Sequence, residues 1–198
     1  MENASDKSIE EQELLEEMSL KIDDGTETLN QMIEIGQKVM NPAFEPLSAR
    51  TILDEALDIK RNDFAAADVM VQLSVSSEDP IVWVDPSLMR IALDCLLDNA
   101  YKFMKVDEPG KLTICIDTHT TTRNALITIE DNGIGMTEER IQLLREEFYS
   151  VDGRIALGVM LSRLILGMHG GSLRYESAFG DFTKAFITLP LDVEQNYD

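Results

Sequence analysis

The sequence predicts a two-layer α/β sandwich with a mixed sheet, preceded by an N-terminal helical segment. Three observations predict it. Stretches with helical apolar spacing interleave with short runs that alternate apolar and polar residues. Most of those runs are joined in pairs by turn signals, as hairpins, so the sheet is mixed rather than all parallel. No glycine-rich turn leads from the first strand into a helix, which argues against a Rossmann or P-loop arrangement.

From about Ile9 to Met40 a seven-residue repeat falls on Leu15, Met18, Ile22, Leu29, Met32 and Val39. Gly25 and Gly36 occupy the remaining slots, and Asp23-Asp24-Gly25-Thr26 reads as a turn. The segment is one interrupted helix or two short ones. Its stripe needs cover from the rest of the chain or from a second copy in a homodimeric bundle. Asn41-Pro42 ends it, so the expected division is residues 1–42 and 43–198. Phe44-Glu45-Pro46-Leu47 is short and extended. Ser48 caps a helix to about Asn62, with Ile52, Leu53, Ala56, Leu57 and Ile59 on its buried side.

Val69–Val75 alternates as a strand, and Ile81-Val82-Trp83-Val84 is another. Asp85-Pro86 opens a long helix to about Met104, with proline at its first position. Lys111–Asp117 and Ala125–Glu130 form a hairpin. Thr137 caps a helix to about Phe148, and residues 157–169 form an apolar helix ended by Gly170-Gly171. Leu173–Glu176 and Lys184–Leu189 are the last strands.

The 198 residues are 44% hydrophobic and 27% charged, enough for one core and a smaller appendage. Seventeen Lys and Arg face 37 Asp and Glu, a formal charge of -20. Such a surface repels nucleic-acid phosphates and anionic lipid, so neither is expected as a partner. A phosphate ligand must be held locally, by backbone N–H groups, a divalent cation and a few placed cations. No apolar run approaches a bilayer span, and the acidic start Met1-Glu2-Asn3-Ala4-Ser5-Asp6 is unlike a signal peptide. Cys95 and Cys115 sit in apolar segments without metal-ligand spacing, which points to buried reduced thiols and a cytoplasmic chain.

Four segments carry the chemistry. They are Leu96-Leu97-Asp98-Asn99-Ala100-Tyr101-Lys102-Phe103, Glu130-Asp131-Asn132-Gly133-Ile134-Gly135-Met136, Glu147-Phe148-Tyr149, and Ala156-Leu157-Gly158-Val159-Met160-Leu161 through His169-Gly170-Gly171. In order and spacing they resemble the N box, first glycine box, F box and second glycine box of the GHKL superfamily, whose members include gyrase and sensor histidine kinases. Ser177–Thr183 and Ile187–Pro190 look like the closing turn and last strand of the same domain. Each segment has a blander reading alone: surface Asn and Lys on an amphipathic helix, or a glycine-rich turn.

The resemblance implies Mg²⁺ and ATP as cofactors. Asn99 and Lys102 share a helix face. An amide oxygen suits Mg²⁺, and an ammonium suits a phosphate oxygen. Asp131 can accept from the adenine amine, and Gly133 and Gly135 would leave room for the base. The N-terminus of the helix at residue 157 suits phosphate. The implied ATP site comprises Asn99, Lys102, Phe103, Asp131, Asn132, Gly133, Gly135, Met136, Arg154, Leu157, Gly158 and Thr183, with Asn99 on the metal. The implied partner is a response regulator or phosphoacceptor protein.

Three features depart from the family pattern. Cys95 stands where a second Asn is usual, Arg154-Ile155-Ala156-Leu157-Gly158 replaces Gly-x-Gly-Leu-Gly, and the lid from Tyr149 to Ala156 is short. Neither histidine fits a phosphoacceptor: His119 lies in an exposed hairpin turn, and His169 in a structural helix ending. The expectation is therefore a catalytic domain that offers the γ-phosphate to a histidine outside this chain. The alternatives are a degenerate, non-catalytic partner-binding module on the same fold, and a serine-directed kinase like those of anti-sigma factors.

Overall fold

The computed structural model describes residues 36, 38–76, 78–119, 121–145, 150–151, 154–155 and 157–191. The chain divides into two compact units, Met1–Pro42 and Ala43–Asp198. In the first, the described residues 36 and 38–40 are helical. The heptad positions from Leu15 to Met32 lie outside the described residues, as does Glu147-Phe148-Tyr149.

The second unit is built on a five-stranded sheet. Its strands are β2 (Met70–Val75), β4 (Lys111–His119), β5 (Asn124–Asp131), β9 (Phe182–Pro190) and β8 (Ser172–Ala178), in that spatial order. β2 runs parallel to β4, and the other pairs are antiparallel, so the sheet is mixed as expected. β1 (Glu45–Ser48) and β3 (Ile81–Val84) form a separate antiparallel pair.

Helices α1 (Ala49–Ala66), α2 (Pro86–Lys102) and α4 (Leu157–Met168) cover one face, and α3 (Glu138–Arg145) follows the β5 exit loop. Ile114, Ile127 and Ile187 from the sheet share one core with Leu53, Leu93, Leu97 and Leu166 from the helices. The opposite face carries a Glu130–Lys184 ion pair at 2.9 Å and the Arg174 guanidinium over the Phe186 ring. One covered face and one wet face make two layers.

The helix starts follow their capping residues. Ser48 accepts the N–H of Thr51, and Asp85 accepts that of Leu88, with Pro86 at the first position where no partner is needed. One expectation fails in α1. The helix continues past Asn62 to Ala66 and buries Phe64, while Ile59 is 51% exposed. The buried stripe is centred on Ala49, Ala56 and Lys60, and Ile59 lies at its edge. Lys60 meets Asp98 of α2 at 2.6 Å instead. No helix of the described residues is long and apolar enough to cross a membrane.

The two ends of the helical layer are pinned by His169. Its Nε2 accepts the N–H of Asp85 at 3.0 Å, and its Nδ1 lies 2.6 Å from the carbonyl of Ile165. The ring is buried, edge-on to Phe44. With both nitrogens engaged, the histidine is a tie between the start of α2 and the end of α4. His169→Phe keeps the volume but strands the Asp85 N–H in the interior. Urea denaturation should show a loss of about 1–3 kcal/mol, with nucleotide-site geometry otherwise preserved.

Candidate nucleotide-binding site

Along β5 the residues alternate between the core face and the wet face, so Ile127, Ile129 and Asp131 all point to the helical layer. The last of these is a carboxylate, and it is buried. Asp131 accepts the N–H of Gly133 at 2.9 Å and is further supported by the backbone N–H of Thr183, its partner on β9. Those bonds favour the ionised form. Burial outweighs them and pushes the carboxyl up to about 6.

The loop after Asp131 is wedged between the end of α2 and the β8–β9 turn. The N–H of Ile134 donates to the Phe103 carbonyl at 2.9 Å, and the N–H of Gly180 donates to the Ile134 carbonyl at 2.7 Å. The N–H of Met136 donates to the Ser177 hydroxyl, which lies 2.6 Å from the Phe182 carbonyl and 3.1 Å from the Thr183 hydroxyl.

The glycines here admit neighbouring backbone. A Cβ on Gly133 would collide with the carbonyl oxygen of Phe103, and one on Gly135 with that of Ala178. Gly135 also has φ +62°, in the left-handed region. Their missing side chains make room for neighbouring backbone, and that packing sets the position of Asp131. Asn132 is also engaged with backbone. Its Oδ1 accepts the N–H of Lys111 at 2.7 Å and its Nδ2 donates to the Pro109 carbonyl at 3.0 Å. The side chain fastens the loop before β4.

At the other end, the start of α4 packs on α2. A Cβ on Gly158 would sit 3.4 Å from Cys95 Cβ and 3.9 Å from Asn99 Nδ2. Half-buried Asn99 therefore faces the first turn of α4, with Lys102 exposed one turn further on. The Ser162 hydroxyl is buried within reach of the Ala92 carbonyl at 3.0 Å and the Gly158 carbonyl at 2.8 Å, closing the two helices together. Burial, with Asp98 and Asp94 nearby, pushes the Cys95 thiol up to about 11, so it is neutral at physiological pH.

Arg154 lies on β7 (Arg154–Ile155), paired with β6 (Ser150–Val151), and Leu157 is the first residue of α4. That small hairpin escaped the sequence reading. Its signal was present in Asp152-Gly153, the residue pair most often found in two-residue hairpin turns. Two other neighbours were missed. The Arg140 guanidinium lies over the Phe103 ring, 5.4 Å from its centre, and Ser177 braces Met136. Both contacts join segments distant in sequence.

Residues 84–193 match the family model described as histidine kinase-, DNA gyrase B-, and HSP90-like ATPase. The chain belongs to this family. Among its relatives, Sporulation kinase E of Bacillus subtilis (strain 168) is 30% identical over 154 residues, covering 77% of this chain and 20% of that protein. Sensor protein kinase WalK of Staphylococcus haemolyticus (strain JCSC1435) is 29% identical over 147 residues, covering 71% of this chain and 24% of that protein. The chain thus spans a fifth to a quarter of the length of these relatives. The solved mycobacterial sensor histidine kinase MprB superposes with a TM-score of 0.63 at 24% identity, over 75% of this chain and 98% of that one. That likeness shows the fold, which is the ATPase fold of the histidine kinases.

In an ATPase of this family a buried carboxylate without a full set of partners lowers the stability of the empty protein. Asp131 has a folded pKa near 6, above its unfolded value. Its contribution to stability is therefore fully present below the unfolded value and lost as pH rises through about 6. Asp131→Asn cannot ionise. Denaturation of the empty protein should show the variant gaining on wild type between about pH 4 and 7, by up to about 3 kcal/mol.

Proposed function

We propose that this chain is the ATP-binding, catalytic portion of a sensor histidine kinase, and that Mg-ATP lies between the Asn99 turn of α2, the Asp131 loop and the start of α4. The observation that carries the reading is Asp131: a buried carboxylate at the end of a sheet strand, facing the helical layer. A hydrogen-bond donor such as the adenine amine would complete it. Asn99 holds the Mg²⁺ through its amide oxygen, and the metal neutralises charge on the triphosphate. Lys102 pairs with a phosphate oxygen, and the backbone N–H groups of Leu157 and Gly158 face the phosphates. Arg154 supplies a further cation. Phe103, Met136 and Thr183 frame the base, while Asn132, Gly133 and Gly135 shape the loop. Catalysis is positioning and charge neutralisation, with no covalent step in this domain.

The acceptor is a histidine other than the two in this sequence. His169 is buried with both nitrogens engaged. His119 pairs with Asn124 at the far end of the hairpin from Asp131, which pairs with Leu112. At about 3.4 Å per residue, that is roughly 24 Å along the strand. The reading makes a response regulator or phosphoacceptor protein the partner and the cytoplasm the site of action. It leaves the N-terminal helical segment to form a homodimer.

A second reading has one observation in its favour. The neutral Cys95 thiol packs against Gly158, and a thiol is a poor ligand for a hard cation. A chain that binds adenine nucleotide with no response to Mg²⁺ would be a non-catalytic partner-binding module.

Titration with a fluorescent ATP analogue separates these readings. Asp131→Asn should weaken binding roughly 10- to 100-fold, and Asn99→Ala should remove its dependence on Mg²⁺. The base contact needs the ionised carboxylate, so wild-type affinity should be full above about pH 7 and fall as pH drops through about 6. Failure of wild type to bind any adenine nucleotide in millimolar Mg²⁺ would sink the catalytic reading.

A further inference from the structure

Near Asp131 lies a buried polar atom that meets no hydrogen-bond partner among the described residues. Tyr175 sits on β8 in a row that crosses the sheet through Ala185 to Ile129. The neighbouring row, Ser177–Thr183–Asp131, is the one that ends at the site. On β8 Leu173 is buried and Tyr175 half-buried, while Arg174 and Glu176 are exposed. The Tyr175 ring therefore points to the helical layer, on the same face as Asp131 and one step deeper. Its cross-strand neighbour Ala185 is small, which leaves the ring space to lie over the sheet.

The phenol oxygen is fully shielded and meets no hydrogen-bond partner among the described residues. Buried hydroxyls are nearly always paired. The groups that act on this one electrostatically are Arg163, Cys95 and Asp131, from α4, α2 and the end of β5. Burial pushes the phenol above its usual range, so it remains a donor at any physiological pH.

We propose that Tyr175 is a specificity-determining residue of the nucleotide site, its hydroxyl donating to a ring nitrogen of the bound adenine beside the amine that Asp131 accepts. This rests on the Mg-ATP reading. Adenine carries an acceptor nitrogen on each side of its amine, N1 and N7, so an acceptor and a donor side by side on the protein match it. Guanine presents a carbonyl oxygen where adenine has the amine, and Asp131 would face that oxygen unfavourably.

The test compares wild type, Tyr175→Phe and Asp131→Asn in titrations of the intact chain with ATP, ADP and the 1-deaza, 3-deaza and 7-deaza analogues of ATP. Tyr175→Phe keeps the ring and should keep the fold, with a melting temperature equal to or above that of wild type. It should weaken ATP and ADP equally, by about five- to tenfold. The loss should vanish with one of the 1-deaza and 7-deaza analogues and persist with the 3-deaza analogue. Equal losses for all three deaza analogues, or no loss with ATP, would overturn the assignment. If Asp131→Asn still weakens binding in that case, the ATP reading stands and only the Tyr175 contact fails. If wild type binds no adenine nucleotide, both fall together.

Discussion

The geometry of this domain depends on the close approach of three pieces of backbone at the exit of β5. The carbonyl of Phe103 at the end of α2 and that of Ala178 before the β8–β9 turn both press into the 131–136 loop. Only glycine fits at positions 133 and 135, because a Cβ at either would lie on a carbonyl oxygen. This packing brings the last turn of α2 beside the end of β5. Asn99 and Asp131, separated by 32 positions in the chain, thereby fall on the segments that border the proposed site. The same contacts fix Thr183 and Ser177, which lie on the strands beyond.

A second consequence is electrostatic. A strand that alternates inward and outward delivers its final inward residue, Asp131, onto the face that packs on the helical layer, after Ile129 on its own strand and between Leu112 and Thr183 on the neighbouring ones. Two backbone N–H groups soften the cost without removing it, and the carboxyl titrates near 6. A buried carboxylate held at such a cost to the fold fits the role proposed for it in binding the adenine amine. The phenol of Tyr175 is a second instance on the same face. His169 and Ser162 are answered, by Asp85 and Ile165 and by Ala92 and Gly158, whereas Asp94 Oδ1 and Thr118 Oγ1 are, like the phenol, buried without a hydrogen-bond partner among the described residues.

The phosphate end is organised differently. α4 begins against α2 through Gly158, Cys95 and Asn99, and Ser162 holds the helices at that distance. A neutral thiol lies one turn before Asn99, and the oxygen donors on that stretch of α2 are the amide of Asn99 and the carboxylates of Asp94 and Asp98. The two ends of the proposed nucleotide site thus rest on separate contacts, one between loop and sheet and the other between two helices.

Local chemistry written in the sequence determined the element order, the caps at Ser48 and Asp85 and the hairpins, and it singled out Asn99 and Asp131 as candidate site residues. These depend on neighbours within a turn or a strand, which a chain of letters displays. The periodicity of α1 was legible too, but not that Lys60 rather than Ile59 would face its neighbour, since Asp98 of α2 decides that. Tertiary structure alone decided what the glycines accommodate, that Asn132 fastens a loop, and that Tyr175 buries a hydroxyl that meets no partner among the described residues. Each is set by atoms distant in sequence that packing brings together, and no local pattern records what a residue will meet.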